Sequence, residues 1–157
     1  MTEFKEKLLE AMIYSVFIMI ISLFMASIIL VYGSLSLKII SSVIGIIYIF
    51  VYIRKPYNKE KLLVNSWLCM VSVIFIGSLI GGLVPPNSFI IFGISLSFVE
   101  ILSFTKKGTR TVNARIIANM NLTAKLIVYG KSLKNGKLIP TKGLGDYMFY
   151  SAILACL

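Results

Sequence analysis

Four long apolar runs constrain this chain more than any other feature. They cover about residues 8–31, 37–53, 62–84 and 88–104, and almost no charge interrupts them. A helix needs roughly 20 mostly apolar residues to cross the hydrocarbon core of a bilayer. Backbone groups in lipid must be bonded within the protein, which favours helices. We therefore expect an all-α polytopic membrane protein with four spanning helices, forming a single membrane domain over residues 1–157.

A fifth apolar segment, about 146–157, closes the sequence. At 1.5 Å per residue it reaches only ~18 Å, whereas the bilayer core is about 30 Å thick. We therefore predict a partial, incomplete fifth helix. Its apolar ending favours a fragment of a longer protein over a reduced protein that further helices or subunits complete. The composition agrees with a membrane class, because 58% of the chain is hydrophobic against roughly half in soluble domains.

Basic residues predict the orientation of the chain. Lys and Arg lie before the first run, between the second and third, and throughout the loop 105–142, whereas the two remaining connections carry none. The positive-inside rule then places the N-terminus and both basic loops in the cytoplasm. Membrane topology explains these charges, so we expect the lipid bilayer and not nucleic acid as a partner.

The cytoplasmic loop holds a predicted β-hairpin just before the fifth helix. Residues 124–130 and 136–140 are short and rich in β-branched and aromatic residues, and Asn135-Gly136 between them is a strong hairpin turn signal. Earlier in the chain, Gly81-Gly82 and Pro85-Pro86 predict a helix end and a turn.

Two carboxyls stand out because they lie within predicted membrane segments. Of the six acidic residues, only Glu100 and Asp146 lie within apolar segments, where an ionisable side chain is costly and marks a functional site. The fourth and fifth helices would run antiparallel, so both carboxyls fall at similar depth near the cytoplasmic side. Packing of the two helices at about 8–10 Å would let them face one another.

The residues around Asp146 carry a resemblance to a known family. The motif reads Gly143-Leu144-Gly145-Asp146, and Phe149-Tyr150-Ser151 follows it. It resembles the Gly-x-Gly-Asp motif of presenilins and signal-peptide peptidases, which are intramembrane aspartyl proteases, and the chain looks like an archaeal-type presenilin homologue. The glycines are expected to allow close approach of another backbone and conformations that other residues resist.

A second stretch, Val84 to Gly108, looks like the presenilin segment that bears the first catalytic aspartate. Val99-Glu100 stands where the family has Tyr-Asp. The resemblance implies that Asp146 and Glu100 form a catalytic pair, that no metal or cofactor takes part, and that single-span membrane proteins are the substrates. It also implies a strand before the motif that pairs with the unwound substrate. The candidates for this substrate-binding edge are Leu138, Ile139, Thr141 and Lys142.

The sequence departs from the family in two ways. The extra methylene of Glu100 moves its carboxyl by about 1.5 Å, and a displacement of about 1 Å can cost roughly a hundredfold in rate. The family's Pro-Ala-Leu motif is also absent.

Other functions stay open alongside the protease. One alternative is a catalytically inactive relative that binds helices or partner subunits, and another is an ion or proton pathway that uses both carboxyls. Asp146 could instead be an ordinary helix N-cap. Because the chain has no histidine, the Ser-His and His-Glu-x-x-His sites of other membrane proteases are excluded.

Overall fold

The structure, a computed structural model, describes residues 2–103, 118–132 and 136–157 and is mostly helical. Its elements in chain order are α1 (Thr2–Tyr32), α2 (Leu35–Arg54), α3 (Leu62–Leu83), α4 (Pro86–Ser103), α5 (Met120–Lys125), β1 (Ile127–Lys131), β2 (Leu138–Gly143) and α6 (Leu144–Cys156).

Three helices are long and apolar enough to cross a membrane. They are α1 from Glu6 onward, α2 and α3, whereas the apolar parts of α4 and α6 are shorter. Large apolar side chains point outward on the first two helices, with Phe17 59% and Ile44 61% exposed. The apolar helices indicate a membrane-embedded protein. Within the described residues, a fourth spanning helix and the side of the membrane on which each loop lies stay predictions.

α3 lies at the centre of the helices. It contributes buried side chains along most of its length, among them Cys69, Met70 and Ile74. Where α2 crosses it, a Cβ added to Gly45 would lie 2.9 Å from the Cβ of Ser72. Membrane helices associate largely through such close packing of small residues, since lipid supplies no hydrophobic driving force between them.

The contact between α3 and α6 is the most extensive between two helices. A Cβ at Gly77 would lie 2.1 Å from Ser151 Oγ, and one at Gly81 would lie 2.1 Å from the carbonyl oxygen of Ala152. The predicted helix end is close to the observed one at Leu83. Gly81 itself, however, is buried inside α3, where its missing side chain lets the two backbones approach.

The predicted hairpin is confirmed. β1 and β2 pair antiparallel, with Tyr129 opposite Pro140 and Gly130 opposite Ile139. Gly136 has φ of 66°, a left-handed conformation that favours glycine, while Asn135 lies outside the described residues. The first strand begins later than predicted because Met120–Lys125 forms α5. The second is longer than predicted and runs to Gly143, directly into α6.

Side chains from two helices cover the outer edge of β1. Ser66 Oγ on α3 accepts a hydrogen bond from the backbone N–H of Tyr129 (3.4 Å), and Trp67 Nε1 donates to the carbonyl of the same residue (3.0 Å). The Tyr14 hydroxyl on α1 donates to the carbonyl of Lys131 (2.8 Å). The hairpin is therefore attached to the start of α3 and the first half of α1.

A buried lysine fixes α5 against the end of α2. The Nζ of Lys125 donates to the carbonyls of Ile53 and Lys55. Its ammonium also lies 5.8 Å from the centre of the Tyr52 ring. A cation at a helix C-terminus satisfies carbonyls that have no partner within the helix.

Candidate functional site

Asp146 lies in the first turn of α6, which begins after the N-cap residue Gly143. Its side chain is exposed, and no described residue forms an ion pair with it. A carboxylate in the first helical turn gains about 0.3–1 kcal/mol from the helix dipole. Asp146 is therefore not the N-cap residue, so the helix N-cap interpretation was wrong in that detail, and its carboxylate is accessible.

A cavity of about 420 Å³ opens between α4 and α6 beside this carboxylate. Its walls include Gly93, Leu96 and Ser97 on α4 and Gly145, Asp146 and Tyr150 on α6. Most of the lining is apolar, so the cavity joins one ionisable group to a space that accepts apolar chains.

The backbone of Glu100 belongs to α4, and its side chain lies outside the described residues. Residues three or four apart share one face of a helix. Gly93 and Ser97 line the cavity, and position 100 follows in the same register. The distance between the two carboxyls is not described, so the catalytic pair stays a prediction.

α4 touches α6 mainly through aromatic rings. The rings of Phe89 and Phe149 lie 5.5 Å apart between centroids. A Cβ at Gly93 would lie 2.9 Å from Phe149 Cζ. Most other described residues of α4 are exposed, so this helix is the lightly held wall of the cavity.

Neither motif glycine is needed for close packing among the described residues. Gly143 has φ of −68°, a value open to any residue, and the nearest atom to an added Cβ is the Leu126 carbonyl oxygen at 3.9 Å. An added Cβ at Gly145 would meet no atom of the described residues within 4 Å. Between them Leu144 is buried, and its N–H donates to the Leu126 carbonyl (2.8 Å). At Gly145 the open space belongs to the cavity, so close approach of a substrate backbone to these glycines stays a prediction.

The predicted substrate-binding residues all lie on β2. Leu138 and Ile139 are half-buried. The hydroxyl of Thr141 donates to the Val128 carbonyl (2.7 Å), and Lys142 Nζ donates to the Tyr150 hydroxyl (3.2 Å). The side chains of Thr141 and Lys142 are therefore engaged within the protein, and Lys142 links β2 to the wall of the Asp146 cavity.

The outer edge of β2 carries a proline. Ser132 N–H bonds to the Lys137 carbonyl across the hairpin (2.8 Å). In an antiparallel ladder the pairs alternate, so the main-chain groups of Leu138 and Pro140 point away from β1. Proline has no N–H, so this stretch of the edge offers two carbonyls but a single donor.

Sequence reasoning missed the pair Gly77 and Gly81, which sets the position of α6 on α3. Their spacing, small-x-x-x-small in an apolar helix, is the signal that could have revealed them. Tyr150 was named only as part of the resemblance, and its place in the cavity wall was not predicted, because an aromatic residue in an apolar helix carries no mark of the cavity that it lines.

The described residues contain no group of three His, Cys, Asp or Glu side chains placed to hold a metal ion. Comparison of the chain with known protein families, characterised proteins and solved structures found no significant match.

Proposed function

We propose that this chain is a presenilin-like intramembrane aspartyl protease that cuts single-span membrane helices. One observation carries the proposal: an apolar cavity lies between α4 and α6 with the exposed carboxylate of Asp146 in its wall. The second acidic residue of the apolar segments, Glu100, follows the register of the α4 residues that line this cavity.

The chemistry needs two carboxyls in different protonation states. One carboxylate takes a proton from water, and one carboxylic acid donates a proton to the carbonyl oxygen of the substrate. Two carboxyls in contact share a proton because both cannot ionise at short range. Asp146 and Glu100 would divide these roles.

The free edge of β2 is the proposed place where substrate unwinds. A membrane helix must lose its internal hydrogen bonds before it is cut, and pairing with a strand replaces them. An added strand would accept a hydrogen bond from the Leu138 N–H and donate to the carbonyls of Leu138 and Pro140. β2 leads directly to Asp146, so a strand bound there would extend toward the cavity.

The test is cleavage of a single-span substrate in reconstituted bilayers. We expect Asp146→Asn and Glu100→Gln each to lose at least about a hundredfold in rate, because neither amide can transfer a proton. Glu100→Asp should retain or raise activity, since it restores the family's shorter side chain. Glu60→Gln, an exposed acid in the α2–α3 loop, is the matched control and should cleave normally.

Two outcomes would contradict this proposal. Full activity of Glu100→Gln would show that the residue is structural. Inactivity of the natural sequence, with cleavage only in Glu100→Asp, would identify an inactive relative.

A second candidate function is binding of helices or partner subunits without catalysis. An apolar groove of about 370 Å³ between the outer faces of α4 and α6 favours it, lined by Ile90, Ile94, Phe149 and Ile153 among others. Photo-crosslinking from position 94 would test it. Suppose that the natural sequence does not cleave a membrane helix but crosslinks to it from position 94, and that Asp146→Asn crosslinks equally well. That result would support binding over proteolysis.

A further inference from the structure

We infer that the groove at the start of α3 binds an anionic phospholipid, whose headgroup lies against Lys59 and Lys61 and whose acyl chain follows the helix. This inference is independent of the proposed protease activity. It joins an outward-facing apolar groove to a group of exposed cations directly before it in the chain.

The groove has a volume of about 400 Å³, and the described residues that line it are all apolar, namely Leu63, Val64, Trp67, Leu68 and Val71. These positions recur along one side of α3 over ~12 Å at 1.5 Å per residue. Val64 is 61% exposed and Leu68 is 48% exposed, so these two residues leave the face open, whereas Trp67 beside them is attached to β1. This face has the length and chemistry to accept part of an acyl chain.

The headgroup side is strongly basic. The end of α2 and the loop that joins it to α3 expose four cations, Arg54, Lys55, Lys59 and Lys61, against one carboxylate, Glu60. No described carboxylate forms an ion pair with them. Since Lys125 from α5 already donates to the carbonyls at the end of α2, the loop cations are not needed to cap that helix.

Clusters of Lys and Arg directly outside a membrane helix attract anionic lipid, and each cation near the surface strengthens the attraction roughly fivefold. Lys59 and Lys61 lie closest in sequence to the groove, which begins at Leu63. The phosphate of a lipid headgroup at this point balances the positive charge of Lys59 and Lys61, while the acyl chain of the same lipid covers the groove.

A similar groove on α1 shows why charge decides between the two surfaces. It is also apolar, with a volume of about 470 Å³, and begins at Leu9. Acidic Glu6 and Glu10 flank Lys7 at its start, so its surroundings are not basic overall. The α1 groove therefore fits any lipid tail, whereas the α3 groove fits an anionic lipid.

Trp67 makes the inference measurable. It is the single tryptophan of the chain, it lines the groove, and its indole N–H is bonded to the Tyr129 carbonyl. Its fluorescence is therefore quenched by a brominated acyl chain that occupies the groove.

The experiment uses the full chain in bilayers that contain brominated phosphatidylglycerol or brominated phosphatidylcholine in an otherwise matched mixture. We expect severalfold stronger association of the brominated anionic lipid, and weaker preference at high salt. The double variant Lys59→Gln with Lys61→Gln should bring the preference close to one. Lys59→Arg with Lys61→Arg should keep it, and so should the control Lys7→Gln with Lys38→Gln, which removes two cations elsewhere.

Equal quenching by the two lipids in the natural sequence would overturn the inference. So would a loss of preference in the control pair as large as that in the Lys59 and Lys61 pair, because it would show a response to net charge alone. An unchanged Trp67 emission maximum in unbrominated bilayers verifies that each variant keeps the hairpin contact to Tyr129.

Discussion

α6 has two very different neighbours. On the α3 side, Gly77 and Gly81 bring the backbones so close that an added Cβ would lie 2.1 Å from an atom of α6. On the α4 side, contact depends on the rings of Phe89 and Phe149, and a cavity of about 420 Å³ remains. The helix that carries Asp146 is thus fixed on one side and open on the other.

The α3 side therefore holds α6 in place, whereas the α4 side leaves Asp146 accessible. Backbone contact through glycine leaves little room for adjustment, since close-packed interiors tolerate small volume changes poorly. Ring contact at one place permits a small rotation or shift of α4. Asp146 lies on α6, which α3 holds in a fixed position. The α4 wall on the other side of its cavity can adjust.

The largest expected effect lies at the tight contact. Gly81→Ala places its Cβ against the Ala152 carbonyl, and the overpacking should lower the free energy of unfolding by about 1–3 kcal/mol. Gly82→Ala is the control on the same helix, because no atom in the described part of the chain lies within 4 Å of its added Cβ. It should be neutral or stabilise by up to about 1 kcal/mol through helix propensity. Reversible denaturation in detergent measures both, and equal effects of the two variants would break the comparison.

A smaller effect is expected at the ring contact. Phe149→Ala removes the tilted ring contact with Phe89, which contributes about 1 kcal/mol, and amide hydrogen exchange should become faster in α4 alone. Phe98→Ala on α4 serves as the control, because this ring is 65% exposed. It should leave the exchange of α4 unchanged. Faster exchange throughout α3 after Phe149→Ala would show that the two sides of α6 are not independent.

The smallest effect on stability is expected in the cavity itself. The methyl group of Gly145→Ala meets no described neighbour within 4 Å, so the variant should change the free energy of unfolding by no more than about 1 kcal/mol, in the stabilising direction. If the cavity binds substrate, cleavage should nonetheless fall, because the methyl group occupies space beside Asp146. Gly143→Ala provides the comparison outside the cavity. A large loss of stability in Gly145→Ala would show that this glycine serves the fold.

The helix positions could be predicted closely from sequence, since the length of an apolar run limits a membrane helix. α2 and α3 lie within two residues of their predicted bounds. α1 begins earlier because its polar first turns continue the helix beyond the apolar run. The hairpin was predictable from Asn135-Gly136, but its bounds were not, because a short helix forms before it and β2 continues to Gly143.

The helix contacts were harder to predict. A glycine in an apolar helix has no sequence mark that names its partner, so the contacts of Gly77 with Ser151 and of Gly81 with Ala152 required coordinates. For the candidate site, sequence located Asp146 and the strand leading to it. It gave no indication of the cavity, which arises from the relative placement of α4 and α6.

Pro140 on the outer edge of β2 has a consequence for the protein in a crowded membrane. An exposed strand edge is a template on which copies of a chain can add to one another and aggregate. A proline in the middle of that edge interrupts the row of donors, and the other edge of the hairpin is covered by Ser66 and Trp67. Continuous sheets between neighbouring copies are therefore disfavoured, and a short, reversible pairing is the form of strand association that the hairpin allows.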